Sequence, residues 1–177
     1  MSIERPERVV LVGFMGVGKT TVGRELARRL RWRFVDMDER IEERLGCPIA
    51  EVFRTHGEAR FRQEELAVAT DLRAARSLVV AAGGGAFAQD ETRQALARDA
   101  VVVWLRCDLD EIMRRVGAGA SRPLASGREA MAQLLAQREA SYRQAGLVVD
   151  TGVLGPEAAA ATIARALPTS TREAATA

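Results

Sequence analysis

Histidine is almost absent, with His56 the only one in 177 residues. One histidine offers no cluster for a transition metal, and its place beside Gly57, in an expected turn, suits a surface residue. Cysteine is scarce. Cys47 and Cys107 stand far apart, form no Cys-x-x-Cys unit, and read as reduced thiols of a cytosolic protein. No apolar stretch approaches the length needed to span a bilayer. Met1 to Arg8 is charged and lacks an apolar signal core, so nothing in it suggests export. Net charge is low as well. A formal +2, with the arginines spread rather than packed in one tract, is too small to argue for a nucleic-acid or membrane partner, and none is expected.

What remains is the composition of a soluble globular chain, 47% apolar and 28% charged, long enough for one domain with a substantial core. Apolar runs of strand length alternate with helical patterns. The strand candidates are Arg8–Gly13, Arg33–Asp36, Ser77–Ala82, Ala100–Leu105 and Leu147–Asp150. In the first helical stretch Val22, Leu26 and Leu30 share one face, while Arg24, Arg28 and Arg31 share the other, a solvated one. The alternation predicts an α/β fold, a central five-stranded parallel sheet with helices on both faces. Ligands of such sheets sit at the C-terminal ends of the strands.

The first of those ends carries Gly13-Phe-Met-Gly-Val-Gly-Lys-Thr20. Converging N–H donors can wrap a nucleotide's phosphates only where side-chain bulk is small, which Gly13, Gly16 and Gly18 permit. The helix that follows aims its unpaired N–H groups at the same charge. Lys19 adds a point charge and Thr20 a hydroxyl for Mg²⁺. A strand before and a helix after favour this over a chance glycine-rich turn.

Other strand ends are also chemically suggestive. Asp36 and Asp38, at i and i+2, fall on one side if the chain stays extended. They then serve Mg²⁺ and an attacking hydroxyl, or else they cap a helix carrying Glu39, Glu42 and Glu43. Gly57 opens a long helix in which Glu65 stands on the apolar stripe with Phe61, Val68, Ala69 and Leu72. A surface Glu58–Arg62 pair leaves that position unexplained, whereas a buried acid holding a working Arg62 explains it. Gly83-Gly84-Gly85 ends the third strand and lets a ligand touch main-chain N–H groups. No Asp ends that strand, which counts against a motor-type nucleotidase. Gly117–Gly127, containing Arg122 and Pro123, has the length and small residues of a short mobile lid. Arg122 and Arg138, each taken alone, read as solvated arginines. The stretch after Pro168 is expected to be disordered.

Together these motifs resemble the shikimate kinases from about Val9 to about Leu167. The resemblance rests on the Gly13–Thr20 loop, Phe34-Val35-Asp36-Met37-Asp38, Gly57-Glu58-x-x-Phe61-Arg62-x-x-Glu65, Gly83-Gly84-Gly85, Arg122-Pro123-Leu124, and Arg138 four residues before Tyr142. It implies a P-loop kinase fold and transfer of the γ-phosphate of ATP to the 3-hydroxyl of shikimate, in the route to chorismate and the aromatic amino acids. Lys19, Asp38 and Arg122 would be catalytic, with Asp38 holding the accepting hydroxyl as candidate base. Gly16, Val17, Gly18, Lys19, Thr20, Thr21, Arg114, Arg115 and Arg122 would hold ATP. Asp38, Arg62, Gly83, Gly84, Gly85 and Arg138 would hold shikimate, the two arginines gripping its carboxylate. One Mg²⁺ would accompany ATP, with Thr20 as direct ligand and Asp36 acting through water. A cytoplasmic monomer with only these small molecules as partners is expected. Two departures stand out. Thr151–Pro156 carries no charge where the family often has a polar or basic residue, and the lid reads Arg-Pro-Leu-Ala where a second Leu is commoner.

Two rivals share part of this pattern. A gluconate kinase-like enzyme would lack the paired Arg62 and Arg138. A catalytically silent regulatory module would have lost Lys19, Asp38 or Arg122, and all are present.

Overall fold

The computed structural model describes residues 6–119 and 127–168. The chain runs β1 (Arg8–Val12), α1 (Lys19–Leu30), β2 (Arg33–Asp36), α2 (Met37–Leu45), α3 (Ile49–Asp71), β3 (Leu78–Ala81), α4 (Asp90–Ala97), β4 (Val101–Arg106), α5 (Leu109–Gly119), α6 (Arg128–Tyr142), β5 (Leu147–Asp150) and α7 (Pro156–Ala166). The five strands form one sheet in the order β2-β3-β1-β4-β5, and every pairing is parallel. All five strand expectations hold to within a residue at either end.

Position in the sheet decides how each strand is composed. Central β1 (RVVLV) and β3 (LVVA) are buried along their whole length, as strands covered on both faces must be. Edge strands β2 and β5 are only partly buried and carry charges. Even the buried arginine of β1 is accounted for, because Arg8 donates to the carbonyls of Leu72 and Arg98. Right-handed crossovers send the chain leftward from β1 to β2 but rightward from β3 to β4 and from β4 to β5. The helices of these opposed steps therefore cover opposite faces. α1 packs with α7 on one side, and α3 with α4 on the other. The reversal leaves a crevice at the C-terminal ends of β1 and β3.

Local details differ from expectation at three places. Asp36 and Asp38 do not lie on an extended chain, since α2 begins at Met37. Gly57, with φ 78° and ψ 175°, breaks α3 in two, so His56 is the exposed end of a first helical segment rather than part of a simple turn. Gly117–Gly119, expected within a mobile lid, continue α5. The backbone stays helical there, and a side chain at Gly117 would meet open space. Residues 120–126 of that lid, Arg122 included, and the tail after Pro168 lie outside the described residues, while Gly127 caps α6.

Gly23 shows how closely α1 seats on the sheet. A Cβ there would lie 2.4 Å from Phe34 Cε2 and 3.3 Å from Leu11 Cδ1. Alanine gains about 1 kcal/mol of helix propensity over glycine, but overpacking costs about 1–3 kcal/mol. Gly23→Ala is expected to lower Tm by roughly 2–4 °C for each kcal/mol of net loss. A thermal melt no lower than that of the parent chain would refute the packing argument.

Candidate active site

The phosphate loop is built by its glycines. Gly13 has φ 144°, and a Cβ there would stand 2.4 Å from the carbonyl oxygen of Leu105. Gly18, with φ 96°, caps α1 without a side-chain hydrogen bond, so the first N–H groups of α1 remain available to an anion. Lys19, the first residue of α1, folds back over the loop and donates to the carbonyls of Gly13 (2.8 Å) and Phe14 (2.9 Å). Burial pulls its amine down to about 8. Asp38 and Asp36 oppose that, and Arg138 reinforces it. An anion placed beside it would stabilise the ammonium.

Across the loop, Asp36 caps a helix, one of the two readings its sequence context left open, and also meets Thr20. Its Oδ1 accepts from the Asp38 N–H at 3.0 Å, capping α2, and its Oδ2 accepts from Thr20 Oγ1 at 2.7 Å. This strand-to-helix turn, not an extended strand, brings Asp38 into the same cavity of about 340 Å³ as Lys19, Thr20 and Gly84. Burial raises the Asp38 carboxyl above its ordinary value. Asp36 and Glu42 add to the rise, while Lys19 and Arg62 resist it. A carboxylate so raised is a stronger proton acceptor than a free one.

The glycine triplet after β3 makes room for side chains rather than merely turning the chain. A Cβ on Gly83 would stand 2.8 Å from Asp38 Oδ1 and 3.1 Å from Glu65 Oε1. One on Gly85 would stand 2.9 Å from Arg62 Nη2 and 3.3 Å from Arg138 Nη2. Two guanidinium groups from α3 and α6 thus converge over one glycine. Glu65 is wholly buried, as its place on the apolar stripe implies, and accepts from Arg62 Nη1 at 2.8 Å. Glu58 holds the other side of the same fork at 3.0 Å. Arg138 has no carboxylate partner among the described residues. It lies over the Phe14 ring, 5.5 Å from its centroid.

A second cavity, about 350 Å³, opens on the other side of the loop between Gly18, Thr21, Arg115, Leu154 and Pro156, with Gly16 and Val17 at its floor. Arg115 donates to the Thr151 carbonyl (2.6 Å) and to Glu111 (2.7 Å). Arg114 does not line this cavity. It is largely exposed and doubly bonded to Glu111, whose carboxyl is held down to about 2 by Arg114 first and Arg115 second. Three contributors were not legible beforehand. Phe14 sits inside the loop motif, and Thr151, whose hydroxyl donates to the Val17 carbonyl at 2.8 Å, sits in an unremarkable turn. Tyr142 was visible only as a spacing to Arg138.

The donor set suits a divalent ion that arrives with phosphates. Thr20 and Asp36 present adjacent hard oxygens. Among the described residues no group of three or more His, Cys, Asp or Glu could cage an ion alone. Magnesium keeps waters and phosphate oxygens in its shell, so two protein oxygens fit it.

A sequence model of shikimate kinase matches residues 15–168. The chain belongs to the shikimate kinase family. The shikimate kinase of Nitrobacter winogradskyi is 48% identical over 144 residues, 80% of this chain and 67% of that protein. That of Moorella thermoacetica is 45% identical over 157 residues, 88% of this chain and 90% of its own. Among solved structures, the shikimate kinase of Acinetobacter baumannii in complex with shikimate matches with a TM-score of 0.84 at 34% identity, covering 90% of this chain and 91% of that one. The five-stranded parallel sheet is the P-loop kinase fold of those enzymes. Within the family fold, Arg62 and Arg138 meet over the triplet in this chain, the arrangement a gluconate kinase-like acceptor site was expected to lack.

Proposed function

We propose that this site moves the γ-phosphate of ATP to the 3-hydroxyl of shikimate, giving 3-phosphoshikimate and ADP. The observation that carries the reading is the convergence of Arg62 and Arg138 over Gly85, next to a buried carboxylate, Asp38, at the mouth of a phosphate loop. A planar carboxylate fits two planar forks. The acid of the substrate would neutralise Arg138, which no protein carboxylate does among the described residues. Its ring would then lie over the glycine triplet, whose N–H groups can meet hydroxyls, and would carry one hydroxyl toward Asp38.

Within that arrangement each side chain has a task. Asp38 orients the hydroxyl and takes its proton as the new bond forms. Lys19, released from the Gly13 and Phe14 carbonyls, follows the outer phosphates and offsets the charge that develops on them. Thr20, and Asp36 through water, would hold one Mg²⁺. When bound with ATP, that ion would supply positive charge to the phosphates. Arg122 is assigned a second cation on the phosphoryl group from the lid, by resemblance alone. The nucleobase would enter the cavity between Arg115 and Pro156. There the uncharged Thr151–Pro156 loop offers an apolar wall, Leu154 and Pro156, in place of a charged side chain. Arg114, tied to Glu111 outside that cavity, would act on ATP only after leaving its partner. The reading extends to a monomeric enzyme of the cytoplasm, a compartment suited to the free thiols Cys47 and Cys107. Among the described residues no helix is long and apolar enough to cross a membrane.

The deciding experiment is coupled ADP release with a panel of hydroxy acids. Turnover is expected only with Mg²⁺ and shikimate together, and not with gluconate. ADP release at the same rate with and without shikimate would refute the reading.

A further inference from the structure

We propose that Tyr142 is a positioning residue for the acid-binding half of the site, its phenol locking the Gly84–Gly85 peptide while it steadies Arg138 against Arg62. The inference rests on the shikimate reading of that half.

The glycine triplet poses a mechanical problem. Without Cβ atoms, the plane of the Gly84–Gly85 peptide can turn with little steric resistance. A planar trans peptide couples its two polar groups, so whatever orients the Gly84 carbonyl points the Gly85 N–H the opposite way. The neighbouring carbonyls are held by the main chain. Gly83 accepts from the Ala86 N–H at 3.0 Å, and Gly85 accepts from the Ala88 N–H at 3.1 Å. The Gly84 carbonyl is held instead by a side chain, accepting from the Tyr142 hydroxyl at 2.5 Å.

The same ring stands behind Arg138. The two residues are one turn apart on α6 and share a face. Arg138 has no acid to fix it among the described residues, in contrast to Arg62 with Glu58 and Glu65. Its guanidinium lies over the Phe14 ring and is close enough to the Tyr142 phenol to act on it electrostatically. Tyr142 is itself fully buried and packed on Trp104, with ring centroids 6.0 Å apart. Burial pushes its phenol up to about 12 while Arg138 pulls the other way, so the hydroxyl remains a donor throughout the working pH range. One rigid side chain thus couples the main-chain donors of the triplet to the cation that meets the carboxylate.

Tyr142→Phe keeps the ring and removes only the hydroxyl. Shikimate Kd by calorimetry, and shikimate KM, are expected to rise about tenfold, the scale of one lost hydrogen bond near a charge. ATP KM should stay unchanged, with kcat falling far less than shikimate KM rises. Unchanged shikimate binding, or equal weakening of both substrates, would overturn the proposal, the second outcome marking a purely structural role. Tyr142 is the single tyrosine of the chain. Fluorotyrosine-labelled parent enzyme therefore gives one ¹⁹F resonance, which needs no folded variant. That resonance should move on adding shikimate, and no movement in shikimate-bound enzyme would also overturn the proposal. If the parent enzyme itself binds no shikimate, the functional reading fails first and this inference falls with it.

Discussion

Asp38→Asn is expected to lower kcat by roughly 10²- to 10⁴-fold, the range for loss of an acid–base group, while shikimate still binds. The substitution keeps the size and one acceptor oxygen and removes the charge. Packing should tolerate the change on the side of Gly83, which faces the Asp38 carboxyl and has no side chain to clash with the new amide. Two functions of Asp38 would be lost together. Its carboxyl, raised by burial and by Asp36, no longer accepts the hydroxyl proton. Its charge also no longer supports the Lys19 ammonium, whose amine burial already pulls down to about 8. Phosphoryl transfer can proceed through a loose transition state in which the proton leaves late. A fall well short of that range would therefore assign Asp38 to orienting the hydroxyl rather than removing its proton. Steady-state kinetics paired with calorimetric shikimate binding separates these outcomes. An unchanged kcat would remove Asp38 from the reaction altogether.

Arg138→Ala is expected to weaken shikimate binding by about 1.5–3 kcal/mol, the worth of a hydrogen bond to a charged group, or roughly 10- to 150-fold in Kd. ATP affinity and Tm should be little changed, since Arg138 makes no ion pair with a carboxylate among the described residues and only lightly assists Arg62 in holding the Glu65 charge. Arg62→Ala provides the contrast. It should weaken shikimate binding similarly but also lower Tm, because it strands Glu65. That acid is wholly buried, its Oε1 has no hydrogen-bond partner among the described residues, and its carboxyl is raised by burial against the pull of Arg62. Trp104 packs on Tyr142 behind the site, so its fluorescence offers a second readout of shikimate. Parent-like shikimate titrations for both variants would show that the acceptor site lies elsewhere.

The features legible in the sequence are those whose physics is local. Residues Gly13 to Thr20 encode their own loop and helix start, because positive φ angles and an uncapped helix end need only neighbours a few positions away. Strand identity follows from short apolar runs, and the burial of Glu65 from its place on a helical stripe. Glu65 shows the limit of that reasoning as well. The stripe predicts a buried acid beside Arg62, while the meeting of both with Gly83 and Gly85 is a tertiary contact between α3 and the loop after β3.

Tertiary structure alone decided which charges meet. Arg138 reads as a surface residue on α6 until crossover handedness lays that helix across the triplet and sets its guanidinium beside that of Arg62. Sequence distance hides the Tyr142 bond to Gly84, the Thr151 bond to Val17 and the Thr20 bond to Asp36, because each joins separate crossovers of the sheet. Arg114 and Arg115, equivalent as neighbours in the chain, are separated by the 100° step of the helix. Both hold Glu111, but Arg115 turns to the cavity beside the loop and Arg114 to solvent. The sequence by itself determined the phosphate loop, the strands and the residue types of the acceptor site. The order of strands in the parallel sheet, a long-range property that no local pattern encodes, decided which of those residues share a cavity.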